Sequence, residues 1–294
     1  MPKDTIPARL AHVAKHRPDA AAYFEKQGGT WRKVDYRTYF ALVRRAGKAL
    51  LTLGFTPGDT VAILGKNRSE WVLLDVAAMS VGGAPAGVYT TSSPEEIRYI
   101  VGHAEAKAVL VEDEVQWKKL EQVLDALPAV RRVVLMRGAT VPVHPLAIGW
   151  DDFLATGDAV DDARFDERLE ALEPGGLATL IYTSGTTGPP KAVMLSHENL
   201  AWTATLARTL TGGRPDDRSL SYLPLSHIAE QVFTIHAPIT LGSSVYFAEA
   251  IEKVPENLKE VRPTVFFGVP RIWEKFVAGI QKQLGQARGA RKAL

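Results

Sequence analysis

Apolar and polar positions along the chain repeat in the order strand, turn, helix. Apolar residues between Tyr36 and Leu53 follow helical spacing, and Gly54 ends the run, so a helix is predicted there. Thr60–Leu64 is a continuous apolar run typical of a buried strand. The stretch Ser93-Pro94-Glu95-Glu96 predicts a helix start, since serine can cap, proline suits the first helical position, and glutamate can complete a capping box.

The same alternation continues to the end of the chain. Further strands are predicted at Ala108–Val111, Val133–Met136, Leu177–Tyr182, Leu220–Leu223, Ser244–Phe247 and Val265–Val269. Further helices are predicted at Val115–Leu127 and from Ser196, His227 and Pro270 onward. Strands that alternate with helices indicate an α/β fold with mainly parallel sheets covered on both faces.

A polar stretch divides this pattern. Prolines, glycines and aspartates accumulate between Val141 and Glu173. We therefore expect a first α/β lobe over 1–150, a polar connection over 151–176 and a second lobe over 177–294. The length of 294 residues agrees with about two structural units.

Composition and charge narrow the functional classes. Apolar residues make up 46% and charged residues 23%, and Lys+Arg 35 against Asp+Glu 33 leaves a net charge of +2 with no block of one sign, so we expect no nucleic-acid partner. The absence of cysteine excludes disulfides, thiolate metal sites and a cysteine nucleophile. The most apolar segment, Trp71–Tyr89, contains Asp75, Pro85 and several glycines, which suit a buried helix, turn and strand better than a membrane span. We expect a soluble cytoplasmic protein with at most weak peripheral membrane contact.

One loop carries the most chemical information. It directly follows a predicted buried strand and places within nine residues the hydroxyls of Thr183, Ser184, Thr186 and Thr187, the glycines Gly185 and Gly188, and Lys191. Glycines expose backbone N–H groups, hydroxyls add donors and lysine adds a positive charge, which together suit the oxygens of a polyphosphate. The spacing matches neither the P-loop nor the dinucleotide fingerprint. The alternative interpretation is a polar surface turn.

Tyr182-Thr-Ser-Gly-Thr-Thr-Gly-Pro-Pro-Lys-Ala-Val-Met-Leu-Ser-His197 resembles the phosphate loop of adenylate-forming enzymes, the AMP-binding acyl-CoA synthetases and their relatives. Segments 221–230 and 267–275 follow in the order typical of that family, and residues 58–63 and 67–71 match its early part. The chain is most similar to long-chain fatty acid–CoA ligases, including the bubblegum type. It departs at Ala192, where many members carry glycine and long-chain members tolerate alanine.

The resemblance implies a fold and a reaction. The fold is that of the large N-terminal domain of acyl-CoA synthetases, with two stacked, mainly parallel sheets flanked by helices. In the reaction, a fatty carboxylate attacks the α-phosphate of ATP to give acyl-adenylate and pyrophosphate, and the thiol of coenzyme A then displaces AMP. ATP, Mg²⁺ and coenzyme A are the implied cofactors or co-substrates, and a long-chain fatty acid is the implied partner.

The resemblance also assigns roles around the loop. Residues 183–188 and Lys191 bind the nucleotide, and Thr183 supplies a hydroxyl ligand for Mg²⁺. Thr186, Thr187 and Lys191 contact the β- and γ-phosphates. The resemblance thus implies a catalytic role for Thr183, through Mg²⁺, and for Lys191, through the phosphates.

Two further positions each have a functional and a structural interpretation. His227 matches a catalytic residue beside the carboxyl group and α-phosphate, at the acyl end of the site, and its alternative is a structural histidine at a helix start. Glu230, one turn later, could pair with His227 or belong to a polar network. Trp273 matches the gate of an acyl tunnel. Its alternative is packing in a helical apolar stripe formed by Ile272, Trp273, Phe276 and Ile280.

Several stretches that the family carries cannot be found. They are an aromatic-Gly-x-Thr-Glu stretch whose glutamate holds Mg²⁺, a Thr-Gly-Asp stretch for the ribose, and a small C-terminal domain with a catalytic lysine. We therefore expect an N-terminal portion of a ligase that is weak or inactive alone. The alternative function is a non-catalytic ATP- or acyl-binding module. A hydrolase is disfavoured, since the sequence has no cysteine and no G-x-S-x-G elbow.

Overall fold

The computed structural model describes residues 3–183 and 188–292. Their strands are β1 (Ala21–Gln27), β2 (Thr30–Asp35), β3 (Thr60–Leu64), β4 (Ala84–Val88), β5 (Ala108–Val111), β6 (Arg132–Leu135), β7 (Ala147–Gly149), β8 (Leu177–Thr183), β9 (Lys191–Ser196), β10 (Arg218–Ser221) and β11 (Ser244–Phe247). Their α-helices are α1 (Ile6–His16), α2 (Tyr36–Thr52), α3 (Ser69–Ser80), α4 (Pro94–His103), α5 (Glu114–Glu121), α6 (Trp150–Thr156), α7 (Asp162–Glu170), α8 (His197–Thr211), α9 (Ile228–Gln231), α10 (Ala237–Leu241), α11 (Val254–Val261) and α12 (Pro270–Lys292). A π-helical turn, Val232–His236, joins α9 to α10.

Within the described residues, the strands form one sheet of seven and one of four. The seven-stranded sheet has the order β7-β6-β5-β3-β4-β8-β9 and is parallel except for β9, which runs antiparallel to β8. Every residue of β3, β4 and β5 is buried, because α1, α2 and α3 contribute to an apolar core on one face and α4 and α5 to a core on the other. Burial on both faces explains why these strands are apolar without alternation.

The four-stranded sheet has the order β10-β11-β1-β2. Its first three strands are parallel, with Tyr23 of β1 opposite Val245 of β11, and β2 returns antiparallel to β1. The predicted fold class, α/β with two mainly parallel sheets flanked by helices, is thus confirmed. Each sheet contains strands from both sides of residues 151–176, and the division of the chain into domains at that stretch stays a prediction.

Most helices and strands predicted from the local sequence pattern are present in the structure. The helix after Asp35 and the strand Thr60–Leu64 have the predicted positions. The capping box also forms, since Ser93 Oγ accepts from the Glu96 amide at 3.2 Å and Glu96 Oε2 accepts from the Ser93 amide at 2.8 Å. The helix predicted over Val115–Leu127 is shorter, ending at Glu121 and followed by a 3₁₀ turn.

The strand predicted at Val265–Val269 is wrong. This segment meets β10 only at its start, where the amides of Thr264 and Val265 both donate to Arg218 O, at 3.0 and 3.2 Å. The chain then leaves the sheet edge and enters α12 at Pro270. A five-residue apolar run therefore packs as an extended segment without joining the hydrogen-bond ladder.

Trp71–Tyr89, the most apolar segment, folds as α3, a turn and β4, as the sequence predicts. Among the described helices, no stretch combines the length and the hydropathy that crossing a bilayer would require.

Candidate functional site

The predicted phosphate loop joins the two strands of a hairpin. Thr183, the last residue of β8, lies opposite Lys191, the first residue of β9, and both are exposed. Directly opposed residues of an antiparallel pair project from the same face, so the hydroxyl and the ammonium group flank the mouth of the loop together. Gly188 has φ +98°, a left-handed conformation that favours glycine.

Part of the predicted nucleotide site lies outside the described residues. This applies to Ser184, Gly185, Thr186 and Thr187. The structure describes Thr183, Gly188 and Lys191 at both ends of the loop, and their roles in binding nucleotide stay predictions.

A glycine in β4 lets a second loop approach the same sheet edge. A Cβ on Gly87 would lie 2.7 Å from Ser226 Cα, closer than real side chains allow. Strand β4 is the neighbour of β8, with Ala86 opposite Leu180. The turn that carries Ser226 and His227 therefore rests at the carboxyl end of β4, beside the strand that ends at the phosphate loop. Sequence reasoning missed this glycine, although a glycine inside a buried strand is a recognised signal of close approach.

His227 is exposed at the start of α9, where it is the capping residue. Its Nδ1 accepts from the Ala229 amide at 3.2 Å, and its own amide donates to Pro224 O at 3.0 Å. Because Nδ1 is the acceptor, Nε2 is the ring nitrogen that can donate a hydrogen bond to a ligand. The structure therefore gives His227 a capping role and leaves one edge of its ring accessible.

Glu230 is 3% exposed, and its carboxyl group lies in a polar network. Its Oε1 accepts from Ser221 Oγ and Thr234 Oγ1 at 2.8 Å each, from the Tyr222 amide at 3.0 Å and from Asn67 Nδ2 at 3.2 Å. Burial raises the pKa of Glu230 to about 7, and the hydrogen bonds oppose that rise. Of the two sequence-based interpretations, pairing with the neighbouring histidine or membership of a network, the structure shows the network.

Asn67, just after β3, contacts the His227 turn from the other sheet. Its Nδ2 donates to Leu223 O at 2.6 Å, and its Oδ1 accepts from the Leu225 amide at 3.3 Å. On the opposite side, Gln231 Nε2 donates to Leu225 O at 2.9 Å. These side chains satisfy main-chain groups of the turn, a role that follows from tertiary contacts and has no local sequence signal.

Trp273 lies near the start of α12 and is 48% exposed. Its Nε1 donates to Gly268 O at 3.0 Å, and its ring meets Phe266 and Phe276 edge-on. Of the apolar stripe considered as core, Ile272 is buried, Phe276 is half-buried, and Trp273 and Ile280 are exposed. The ring is thus held in place without being enclosed, and its role as an acyl gate stays a prediction.

A cleft of about 780 Å³ opens between the carboxyl ends of the two sheets. Asn67, Tyr222 and Arg137 are among its lining residues, whereas Thr183, Lys191 and His227 lie outside it. A crevice at the carboxyl ends of parallel strands is the usual place for ligands in open α/β sheets. Within the residues that the structure describes, no three His, Asp or Glu side chains converge as a metal site.

This chain resembles known proteins over nearly its whole length. The model of the family described as "AMP-binding enzyme" matches residues 10–293. A long-chain-fatty-acid–CoA ligase ACSBG2 of Xenopus laevis is 38% identical over 282 residues, covering 94% of this chain and 38% of that protein. The ACSBG2 of Homo sapiens is 36% identical, covering 98% of this chain and 44% of that protein. The chain therefore spans about two fifths of the length of these relatives.

Solved structures share the fold. The long-chain-fatty-acid–CoA ligase FadD1 of Archaeoglobus fulgidus superimposes with a TM-score of 0.80 at 22% identity, covering 96% of this chain and 55% of that chain. The N-terminal domain of FACL13 from Mycobacterium tuberculosis gives a TM-score of 0.76 at 25% identity, covering 92% of this chain and 64% of that chain. With a family match over nearly its whole length and relatives above 30% identity, this chain belongs to the AMP-binding enzyme family.

Proposed function

We propose that this chain supplies the phosphate-binding side of an ATP-dependent long-chain fatty acid–CoA ligase. The observation that carries the proposal is the placement of Thr183 and Lys191 at the mouth of one hairpin loop, beside the β4 edge where the His227 turn rests. The family match and the ligase names of the relatives support it.

The first half-reaction joins two anions. A carboxylate oxygen of the fatty acid forms a bond to the α-phosphorus of ATP, and the bond from that phosphorus to pyrophosphate breaks. Lys191 offsets negative charge on the departing phosphates, and His227 Nε2 donates a hydrogen bond near the reacting carboxylate. In the second half-reaction the thiol of coenzyme A attacks the acyl carbonyl carbon and AMP leaves.

Magnesium enters this reaction with ATP, as part of the substrate. Thr183 offers one exposed hydroxyl, and the described residues around it form no cluster of carboxylates. Mg²⁺ commonly keeps phosphate and water ligands and takes only one or two from protein. One hydroxyl therefore suits an Mg²⁺ ion that arrives bound to the nucleotide. With a single ligand from the protein, we expect this chain alone to bind Mg·ATP weakly. When bound, Mg²⁺ would withdraw negative charge from the phosphates.

Lys191→Ala tests the proposal. Loss of a charge-assisted contact to phosphate should weaken the affinity for Mg·ATP about tenfold, measured by isothermal titration calorimetry. The matched control is Lys15→Ala, which removes an exposed lysine from α1, remote from the loop in sequence, and should leave the affinity unchanged. Equal affinities for the wild type and Lys191→Ala would reject this lysine as a phosphate ligand.

Acid-dependent exchange of pyrophosphate into ATP distinguishes a ligase from a binding module. In a protein of the relatives' full length that contains this chain, a long-chain fatty acid should stimulate exchange, and Lys191→Ala should slow it. Binding of Mg·ATP with no exchange, even in a protein of the relatives' full length, would favour the non-catalytic module.

A further inference from the structure

The carboxyl group of Glu230 connects three separate parts of the fold through one oxygen. Asn67 follows β3 of the seven-stranded sheet, Ser221 ends β10 of the four-stranded sheet, and Thr234 belongs to the π-helical turn. All three donate to Glu230 Oε1. π-Helical turns are rare and often occur at functional sites.

The same residue holds both ends of the turn that carries His227. At the start of the turn, the Tyr222 amide donates to Glu230 Oε1 at 3.0 Å. At its end, the Glu230 amide donates to His227 O at 3.1 Å. The imidazole itself is exposed, with its Nδ1 used by the Ala229 amide, so its position follows the backbone of this turn.

We propose that Glu230 is a positioning residue, whose carboxyl group fixes the His227 imidazole at the β4 edge beside β8 by holding the start of the Tyr222–His227 turn. This inference rests on the proposed function, because only a role of His227 beside the reacting carboxylate requires its imidazole to be held in one place.

The donor set explains why a glutamate occupies this position. All four groups that meet Oε1 are donors, so the site needs an acceptor that reaches the centre of the network. A carboxyl oxygen can accept in both the charged and the neutral form, and therefore the network survives the raised pKa of this group. Glutamine keeps one carbonyl oxygen of the same reach, whereas alanine leaves buried donors without a partner.

Hydrogen–deuterium exchange of this 294-residue chain tests the proposal without requiring activity. In Glu230→Ala, the amides of residues 222–227 should exchange about ten- to hundredfold faster, because the lost acceptor lowers the cost of opening this turn. Glu230→Gln should restore exchange to within about threefold of the wild type. In NMR spectra with ¹³C-labelled histidine rings, the His227 signal, assigned through His227→Gln, should shift in Glu230→Ala and return in Glu230→Gln.

The matched control is Glu70→Ala. Glu70 is as deeply buried as Glu230, but the groups that donate to its carboxyl, on Arg68, Ser69 and Arg137, all lie outside the turn. Its loss should lower overall stability without selective exchange of residues 222–227. Equal acceleration of the turn in both alanine variants, or an unchanged turn in Glu230→Ala, would overturn the proposal.

A further variant covers the case in which Glu230→Ala does not fold. Glu230→Asp shortens the side chain by one methylene, so that the oxygen no longer reaches every donor, and the turn should exchange at a rate between those of the wild type and a fully released turn. Wild-type protection of the turn in Glu230→Asp would count against the proposal. Because these measurements need no nucleotide, failure of the wild type to bind Mg·ATP would reject the proposed function separately.

Discussion

Helices α3 and α12 both carry apolar side chains, yet their surroundings differ completely. All twelve residues of α3 are buried between the seven-stranded sheet and neighbouring helices. In α12, Ile272 is buried in the first turn, whereas Val277, Ile280 and Leu284 are each more than half exposed. The sequences differ accordingly. Apolar residues surround α3 on every side, with Glu70 and Asp75 as its charged members, whereas α12 has apolar residues at helical spacing among many polar ones.

The comparison separates residues that hold the fold together from residues on a helix that is fixed at one end. A side chain in α3 is surrounded, so its removal leaves a cavity that neighbours cannot fill. The later turns of α12 contribute little buried area, and the helix is held through Ile272 and half-buried Phe276, in a small cluster with Leu220 and Phe266. Apolar content alone therefore does not indicate which helix stabilises the protein.

The largest expected effect comes from truncating a leucine in each helix. Leu74→Ala in α3 should lower the free energy of unfolding by about 2–5 kcal/mol, because this side chain is fully buried. Leu284→Ala in α12 should change it by less than about 0.5 kcal/mol. Urea denaturation followed by circular dichroism measures both, and equal losses would contradict the comparison.

Acid should change the stability contributed by buried histidines in the interior, but not that contributed by α12, whose sequence contains no histidine. Burial lowers the pKa of His236 from 6.5 to about 3 and that of His197 to about 4. Below pH 6.5 these two side chains take up protons in the unfolded chain but not in the folded interior. Their contribution to stability is therefore fully present above pH 6.5 and falls as the pH drops towards the lower values. For His236 alone the loss at pH 5 should be about 2 kcal/mol.

Glu230 opposes that loss. Its pKa is raised from 4.5 to about 7 in the folded state, so its contribution is fully present below pH 4.5 and is lost as the pH rises through 7. Asp75 in α3 acts in the same direction as Glu230, because burial raises its pKa well above 3.8. In urea denaturation at pH 7 and pH 5, the wild type should therefore lose about 2 kcal/mol more, or gain about 2 kcal/mol less, than His236→Leu. The same pH dependence in both proteins would show that His236 is not the group that titrates.

A stability change much smaller than that of Leu74→Ala is expected at Trp273, on the exposed helix. Because its ring is about half exposed, Trp273→Ala should lower the free energy of unfolding by no more than about 1 kcal/mol. If the ring gates an acyl tunnel, the variant should nevertheless change the preference for acid chain length in pyrophosphate exchange, since a bulky side chain no longer restricts entry. An unchanged chain-length profile would reduce Trp273 to a packing residue.

Local patterns predicted the fold where neighbours in sequence decide the structure. The helix that follows Asp35 and the capping box at Ser93 depend on residues within a few positions, and both were predictable. The pairing of β1 with β11 was not, because the two strands are far apart in sequence and neither pattern identifies its partner. The strand predicted at Val265–Val269 was wrong for a related reason, since only tertiary contacts decide whether a short apolar run joins a sheet.

The candidate site also has features that the local sequence predicts and features that only the folded structure reveals. Hydroxyls, glycines and a lysine within nine residues indicate a phosphate loop without any knowledge of the fold. The approach of Ser226 to Gly87 and the contacts of Asn67 depend on two distant segments meeting, and only the folded chain brings them together. For Glu230, the sequence suggested a network but could not name its members.

The pairing of β1 with β11 has a consequence for synthesis on the ribosome. The hairpin β1–β2 emerges early, but the strand that covers its open edge is translated only after more than two hundred further residues. Until then β1 presents unpaired backbone groups, a situation that favours aggregation. Nascent chains of this protein should therefore depend on chaperone protection of the hairpin until Phe247 has left the exit tunnel.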